Sequence, residues 1–292
     1  MKKSIFEIET EEEYFKHQYE VDINEIDDLG QNALFSSDLT KKKWLIKNKI
    51  NVNIVDSLGE NALFYSCAEA IEMLVSAGVN INQVNSAGNN ALFIPESSIE
   101  EIQALVKNNI NVNHLNKQKE NALFIFYYDD EICEILIDAG IDINQRNING
   151  YNVLPSTEKK VAKMLIEKGI NINNIDNTGK NFLFTADIEL YPLLLEKGID
   201  VNVIDNDGMG IAFYIKSEKL ALIIDKINDL SYMTEETINL TISNNTFISD
   251  FNISENEDFK NLIIKRKAEI EKDQILETCN ASDKDIKNIK RL

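Results

Sequence analysis

The sequence predicts an all-α solenoid: about seven stacked helix pairs with short hairpin turns, between an N-terminal and a C-terminal cap. Three observations predict it. First, a small-apolar-aromatic signature recurs, as Asn32-Ala33-Leu34-Phe35, Asn61-Ala62-Leu63-Phe64, Asn90-Ala91-Leu92-Phe93, Asn121-Ala122-Leu123-Phe124, Asn152-Val153-Leu154-Pro155, Asn181-Phe182-Leu183-Phe184 and Gly210-Ile211-Ala212-Phe213. Successive intervals are 29, 29, 31, 31, 29 and 29 residues, a period typical of units that bury their apolar faces only by stacking on neighbours. Second, Leu45, Leu74, Leu105, Leu136, Leu165 and Leu194 each precede the next signature by 16 positions. Length varies only between signature and leucine, 13 residues in most copies and 15 in the third and fourth. The later helix and its turn are therefore the constant part, and the connection between helices is the adjustable part. Third, 292 residues at 43 % hydrophobic and 27 % charged are ordinary for a globular chain with a sizeable core.

Taken in order, residues 1–24 open on the acidic run Glu9, Glu11, Glu12 and Glu13 and end on Tyr19-Glu20-Val21-Asp22-Ile23-Asn24. They read as the second half of a repeat behind a polar lead-in, a solvated cap, with a docking patch for a basic partner as the alternative. Residues 25–230 form the array. The Asn heading each signature is suited to cap a first helix, its side chain accepting from an otherwise orphan N–H. The later segment, for example Ile71-Glu72-Met73-Leu74-Val75 ending at Ala77-Gly78, has helical apolar spacing and a C-terminal glycine. Asn80-Ile81-Asn82 and Asn111-Val112-Asn113 then place one branched residue inward between two polar ones. A glycine at 59, 88, 150 or 179 closes the tight turn that follows; Asn116-Lys117-Gln118-Lys119-Glu120 lacks one. Residues 231–292 leave the period. Thr234-Glu235-Glu236 reads as a helix start, Ser243-Asn244-Asn245-Thr246 as a break, and 258–279 as an amphipathic helix covering the last repeat, followed by Lys284, Lys287, Lys290 and Arg291.

The pattern Asp-x-x-Gly-x-Asn-Ala-Leu-Phe, with a later Leu-Leu-x-x-Gly-Ile-Asp-Val-Asn, resembles the ankyrin repeat. Gly140-Ile141-Asp142-Ile143-Asn144 and Gly198-Ile199-Asp200-Val201-Asn202 carry the resemblance most closely, and it extends over residues 15 to 230. Asn-Ala stands where the family has Thr-Pro, Phe where it has His, and the period is 29 against about 33. The shortfall falls where the first helix ends, so a shortened first helix or a tight inter-helix loop is expected. The resemblance implies a concave protein-binding face built from hairpin tips and first helices. By position this face includes Glu60, Tyr65, Tyr151 and Asp187, together with Tyr127, Tyr128, Asp129 and Asp130 in the longer fourth connection. Aromatic residues beside acids in that connection have the composition of an interface anchor for a basic partner; packing between helices is the other reading, chiefly for Ile125 and Phe126.

Charge bounds the partner. Thirty Lys and Arg against 49 Asp and Glu give a net −19, and residues 1–214 hold 34 acids against 18 bases. Phosphate-driven nucleic-acid binding is disfavoured, and a basic protein is favoured. Catalytic motifs are missing: GxSxG, the P-loop, GxGxxG and HExxH do not occur. His17 and His114 stand alone, and Asp205-Asn206-Asp207-Gly208 reads as a hairpin turn, so neither a metal nor a cofactor is expected. Cys67, Cys133 and Cys279 read as reduced, packed thiols. With neither a secretory leader nor an apolar run of roughly 18 residues, the expectation is a cytoplasmic, non-enzymatic binding protein, monomeric when free. An inhibitor fits, such as an immunity protein neutralising a basic toxin of the nuclease type; the alternative is a secreted bacterial effector using the same face on a host protein.

Overall fold

A computed structural model of the chain describes residues 3–246 and 253–289. Its described elements are α-helices and 3-10 turns, with one isolated antiparallel bridge between Ile204 and Gly210. The chain forms two compact units, Met1–Ile148 with Ser156–Leu165, and Asn149–Pro155 with Ile166–Leu292. The first unit holds α1 (Glu11–His17), α2 (Leu39–Lys47), α3 (Ala68–Ser76), α4 (Ile99–Lys107) and α5 (Asp130–Asp138). The second holds α7 (Tyr191–Glu196), α8 (Ser217–Ile223), α9 (Glu235–Thr246) and α10 (Ile253–Ile289), and α6 (Lys159–Glu167) spans the division.

Each repeat is one 3-10 turn, one α-helix and one hairpin. The expected first helix is thus reduced to a single turn, such as Ala33–Phe35, Ala62–Tyr65 or Ala91–Phe93. Its core comes from two side chains, for example Ala62 and Leu63, both buried. The two extra residues of the third and fourth copies lie in the connection, as expected. In the third they form a turn closed by Ser97 N–H to Ile94 O at 3.1 Å. In the fourth they carry Phe126 into full burial, so Phe126 packs between helices. The α-helices follow the sequence period: Ala70, Ile71 and Leu74 on α3, Ile102 and Leu105 on α4, Ile132, Cys133 and Leu136 on α5 face inward.

Asparagines tie the repeats together. The side-chain oxygen of Asn61 accepts from Leu63 N–H at 3.1 Å, and its amide donates to Asn80 O at 2.9 Å. Asn32, Asn121 and Asn181 repeat both bonds. These residues are buried, and a buried amide is tolerated because donor and acceptor are both paired. A second set crosses between neighbours: Asn24, Asn53, Asn82 and Asn113 accept at 2.7–2.8 Å from the N–H of Asn51, Asn80, Asn111 and Asp142. The abundance of Asn, which codon usage alone would also produce, therefore has a structural role.

Hairpin tips stack by backbone bonds as well. Ser57 N–H donates to Leu29 O at 2.8 Å, Ser86 N–H to Leu58 O at 2.7 Å and Ile148 N–H to Gln118 O at 2.9 Å. Within each tip an Asp or Asn carboxyl or amide oxygen accepts two turn N–H groups, as Asp56 does from Leu58 and Glu60. The fourth tip forms without glycine: Asn116 N–H reaches Glu120 O at 3.0 Å while Lys119 takes φ 59°, a left-handed conformation costly for a residue with a Cβ.

At the N-terminus Ile5 and Ile8 are fully buried; in the acidic run Glu9 and Glu12 are exposed, while Glu11 and Glu13 are engaged within the chain. Glu11 pairs with Lys47 at 2.9 Å and accepts from Asn48, and Glu13 pairs with Lys3. Hydrogen bonds from Lys47 and Asn48 hold the Glu11 carboxyl below its usual range. At the other end α9 continues through Thr246, so 243–246 is helix where a break was expected, because Thr234 caps the start and the helical bonds persist. Helix α10 exceeds the expected 258–279. Phe259 and Ile263 are buried, Arg266 Nε donates to Ile227 O at 3.1 Å, and Lys267 donates to Met233 O at 3.2 Å. Lys290 and Arg291 lie outside the described residues, as do the side chains of Lys284, Lys287 and Cys279.

Candidate functional site

The eight residues singled out by sequence separate into three local settings. In the first, Tyr65 is exposed at 41 % yet bound at its tip. Its hydroxyl lies 2.7 Å from Glu60 Oε2 and 2.9 Å from Asp56 Oδ2, and its ring packs on Phe35 at 5.5 Å. Glu60 also accepts from Asn85 at 2.7 Å, so it links two hairpins. With one proton the hydroxyl donates to one carboxylate at a time. Burial and both carboxylates push the Tyr65 hydroxyl strongly up. Burial alone would raise Asp56, but bonds from the Glu60 N–H, Tyr65 and Gln31 hold it below its usual range.

The second setting is the fourth connection. Tyr127 and Tyr128 are exposed and pack edge to face at 5.2 Å. Tyr128 donates to Pro95 O at 3.0 Å, and Tyr127 O accepts from Glu158 N–H at 3.1 Å. The pair is thus held in place while its rings meet solvent. The adjacent acids have structural partners: Asp129 caps α5, accepting from Glu131 and Ile132 N–H, and Asp130 pairs with Lys160 at 2.8 Å. A hydrogen bond from Lys160 lowers Asp130.

The third setting is the second unit, where Tyr151 is half-buried and Asp187 is exposed. Asp187 caps the 3-10 turn Ile188–Leu190 through Glu189 N–H at 2.9 Å. The same unit repeats the Tyr65 arrangement: Tyr214 donates to Asp205, packs on Phe184 at 5.5 Å and lies under Lys180 Nζ at 4.1 Å. Asp205 accepts from Asp207 and Met209 N–H, which is a hairpin turn. No group of three His, Cys, Asp or Glu among the described residues could hold a metal, and none of their helices is long and apolar enough to cross a membrane.

No family model matches the chain, and no curated protein matches it. Among solved structures it is similar to the ankyrin repeat domain of Bcl-3, described as a unique member of the IkappaB protein family. The TM-score is 0.59 at 17 % identity, over 65 % of this chain and 95 % of that one. The fold is the ankyrin-repeat fold. Its shortening relative to the usual ankyrin period is the single-turn first helix.

Within the ankyrin array, carboxylates stand on the α-helices as well as on the hairpins, where Asp27, Asp28, Asp142, Asp200 and Asp207 are exposed. Glu69 and Glu72 on α3, Glu100 on α4, and Glu131, Glu134 and Asp138 on α5 are all exposed, whereas hairpin 80–89 has no charged residue. Glu69 pairs with Lys43 at 3.4 Å beside a groove of about 450 Å³ between α2 and α3 lined by Ile46 and Met73, and Glu72 reaches Lys107 of α4 at 2.6 Å.

The cysteines divide. Cys133 is buried, donates to Phe126 O at 3.1 Å, and is pushed by burial up to about 12. Cys67, the residue before α3, is exposed, so it is not the packed thiol expected.

One surface feature has no counterpart in the sequence-based site. In six of the seven hairpins the residue just before the turn Asp or Asn is aliphatic and exposed: Ile26, Val55, Val84 and Leu115 in the first unit, Ile175 and Ile204 in the second, with Arg146 at this place in the fifth. Its recurrence at the array period is visible in the sequence, but a branched residue beside the inward Ile of Asn-Ile-Asn reads as core by default.

Proposed function

We propose that the chain is a non-enzymatic protein-protein interaction module that binds a basic protein in the cytoplasm. In this reading it acts as an inhibitor of the immunity-protein type, neutralising a basic toxin, with a nuclease as the leading class. The ankyrin fold supports the module, and the observation that carries the choice of partner is charge: 34 acids against 18 bases on residues 1–214. Exposed carboxylates on α5 lie next in sequence to the exposed rings of Tyr127 and Tyr128, which adds apolar contact area to the field.

Affinity capture from the native organism at low and high salt, with mass spectrometry, identifies the partner. Association should be fast at low ionic strength and slow as it rises. Replacing Glu131 and Glu134 by Gln should reduce the association rate and its salt dependence. Tyr128→Ala should raise the dissociation rate by roughly tenfold or more. A captured partner whose affinity ignores both salt and these substitutions would sink the electrostatic reading.

A further inference from the structure

The hairpins of the first unit carry a recurring row of exposed aliphatic side chains, with Ile26, Val55, Val84 and Leu115 at equivalent positions and Leu29 and Leu58 at the first two tips. Their exposure runs from 38 % at Val84 to 57 % at Leu29. A single exposed leucine is ordinary, but a periodic line of them on one face marks an interaction surface. The platform beneath is rigid. Besides the tip-to-tip backbone bonds, Gln83 donates to Gly59 O at 2.9 Å, His114 Nε2 lies 2.6 Å from Gly88 O, and Gln145 donates to Lys119 O at 2.9 Å. Each hairpin is thus tied to the one before it, and the line is held in place before any partner arrives.

Charge along this line is graded. The first hairpin has Asp22, Glu25, Asp27 and Asp28, the second Asp56 and Glu60, the third no charged residue, and the fourth Lys117 and Lys119 against Glu120. Asp28 and Lys119, at opposite ends, are both exposed, and neither has an ion-pair partner among the described residues. An apolar line with an acidic end and a basic end is complementary to itself when reversed. About a two-fold axis near Val84 and Val55, the first hairpin of one copy meets the fourth hairpin of the other, twice.

We propose that this hairpin face is the interface of a homodimer, in which a second copy of the chain packs antiparallel along the aliphatic line and Asp28 of each copy faces Lys119 of the other. This differs from the monomer expected of the free chain, and it leaves the acids of α3 to α5 available to the basic partner. It is independent of that partner's identity.

Sedimentation of the full-length chain from low to high micromolar concentration tests it, with circular dichroism confirming that each variant folds. Wild type should sediment as a dimer. Val84→Asp should weaken dimerisation by roughly tenfold or more, since it places a charge in the apolar centre. Asp28→Lys alone should weaken it by setting like charges opposite each other, and adding Lys119→Asp in the same chain should restore it. A chain that is monomeric at every concentration overturns the proposal, as does a dimer indifferent to Val84→Asp. Failure of the double swap to rescue overturns the antiparallel pairing. Monomers whose Val84→Asp form loses affinity for a captured basic protein would assign the face to that protein instead.

Discussion

The internal repeats and the last repeat close the same 3-10 turn by different means. In the internal ones an Asn at the head of the turn accepts from the second N–H and reaches across to the carbonyl 19 to 21 residues later. In the last, Gly210 occupies that place and offers no side chain. The hydroxyl of Tyr232, from the segment after the array, accepts from the Ala212 N–H instead, the equivalent of Leu63 N–H. A Cβ on Gly210 would come within 2.4 Å of that hydroxyl, so glycine is required there for space, its φ being ordinary. The difference teaches that the buried N–H is the invariant need, and that a repeat with no following neighbour satisfies it from its cap.

An internal repeat is the more sensitive of the two to loss of this bond. Asn121→Ala leaves Leu123 N–H unpaired in the core and takes from Asp142 O one of its two donors, the Gln145 N–H at 3.3 Å remaining, and should cost roughly 2–3 kcal/mol. Urea midpoints give the magnitude, and loss of Leu123 amide protection gives the cause. Lys42 is the contrasting case of a polar group buried with little compensation: it is 1 % exposed and its ammonium has one bond, to Ser66 Oγ at 2.9 Å. Burial pushes it from 10.5 down to about 8. The folded state therefore releases this proton before the unfolded state does. Lys42 costs stability at pH below about 8, and that cost shrinks as pH rises toward 10.5. Lys42→Met should raise stability at neutral pH by roughly 2–3 kcal/mol, and the gap from wild type should close across that window.

At the last repeat the effects are smaller. Tyr232→Phe removes only the oxygen and should cost about 1 kcal/mol; an unchanged midpoint would mean that the Ala212 N–H has another acceptor. Smallest is the fourth hairpin, where Lys119→Gly relieves the left-handed backbone and should stabilise by about 1 kcal/mol. The same substitution would also remove the cation assigned to the dimer, so stability should rise while self-association weakens.

Period, phase and caps were legible because they are local. Asn61 at the head of an apolar triplet and Gly78 at a helix end announce themselves by residue type. The eight candidate residues were found by the same logic, yet position in a repeat does not reveal what a side chain is already bonded to. Asp129 and Asp187 turned out to cap helical turns, Glu60 and Tyr65 to brace a hairpin, and Asp130 to pair with Lys160. Tyr127 and Tyr128 are as exposed as Tyr65, and neither is bonded to a carboxylate.

By itself the sequence determined the repeat, its constant half and the elements within it, since each depends on capping, spacing and turn chemistry over a few residues. Only the tertiary structure decided which polar groups are consumed and which are offered. The amide of Asn61 finds its second partner 19 residues away, and Tyr232 replaces an Asn from outside the repeat. The outward turn of Val55 and Val84 depends on how each hairpin stacks on the next. Hydrogen bonds and exposure across neighbours are properties of the stack, and no single unit contains them.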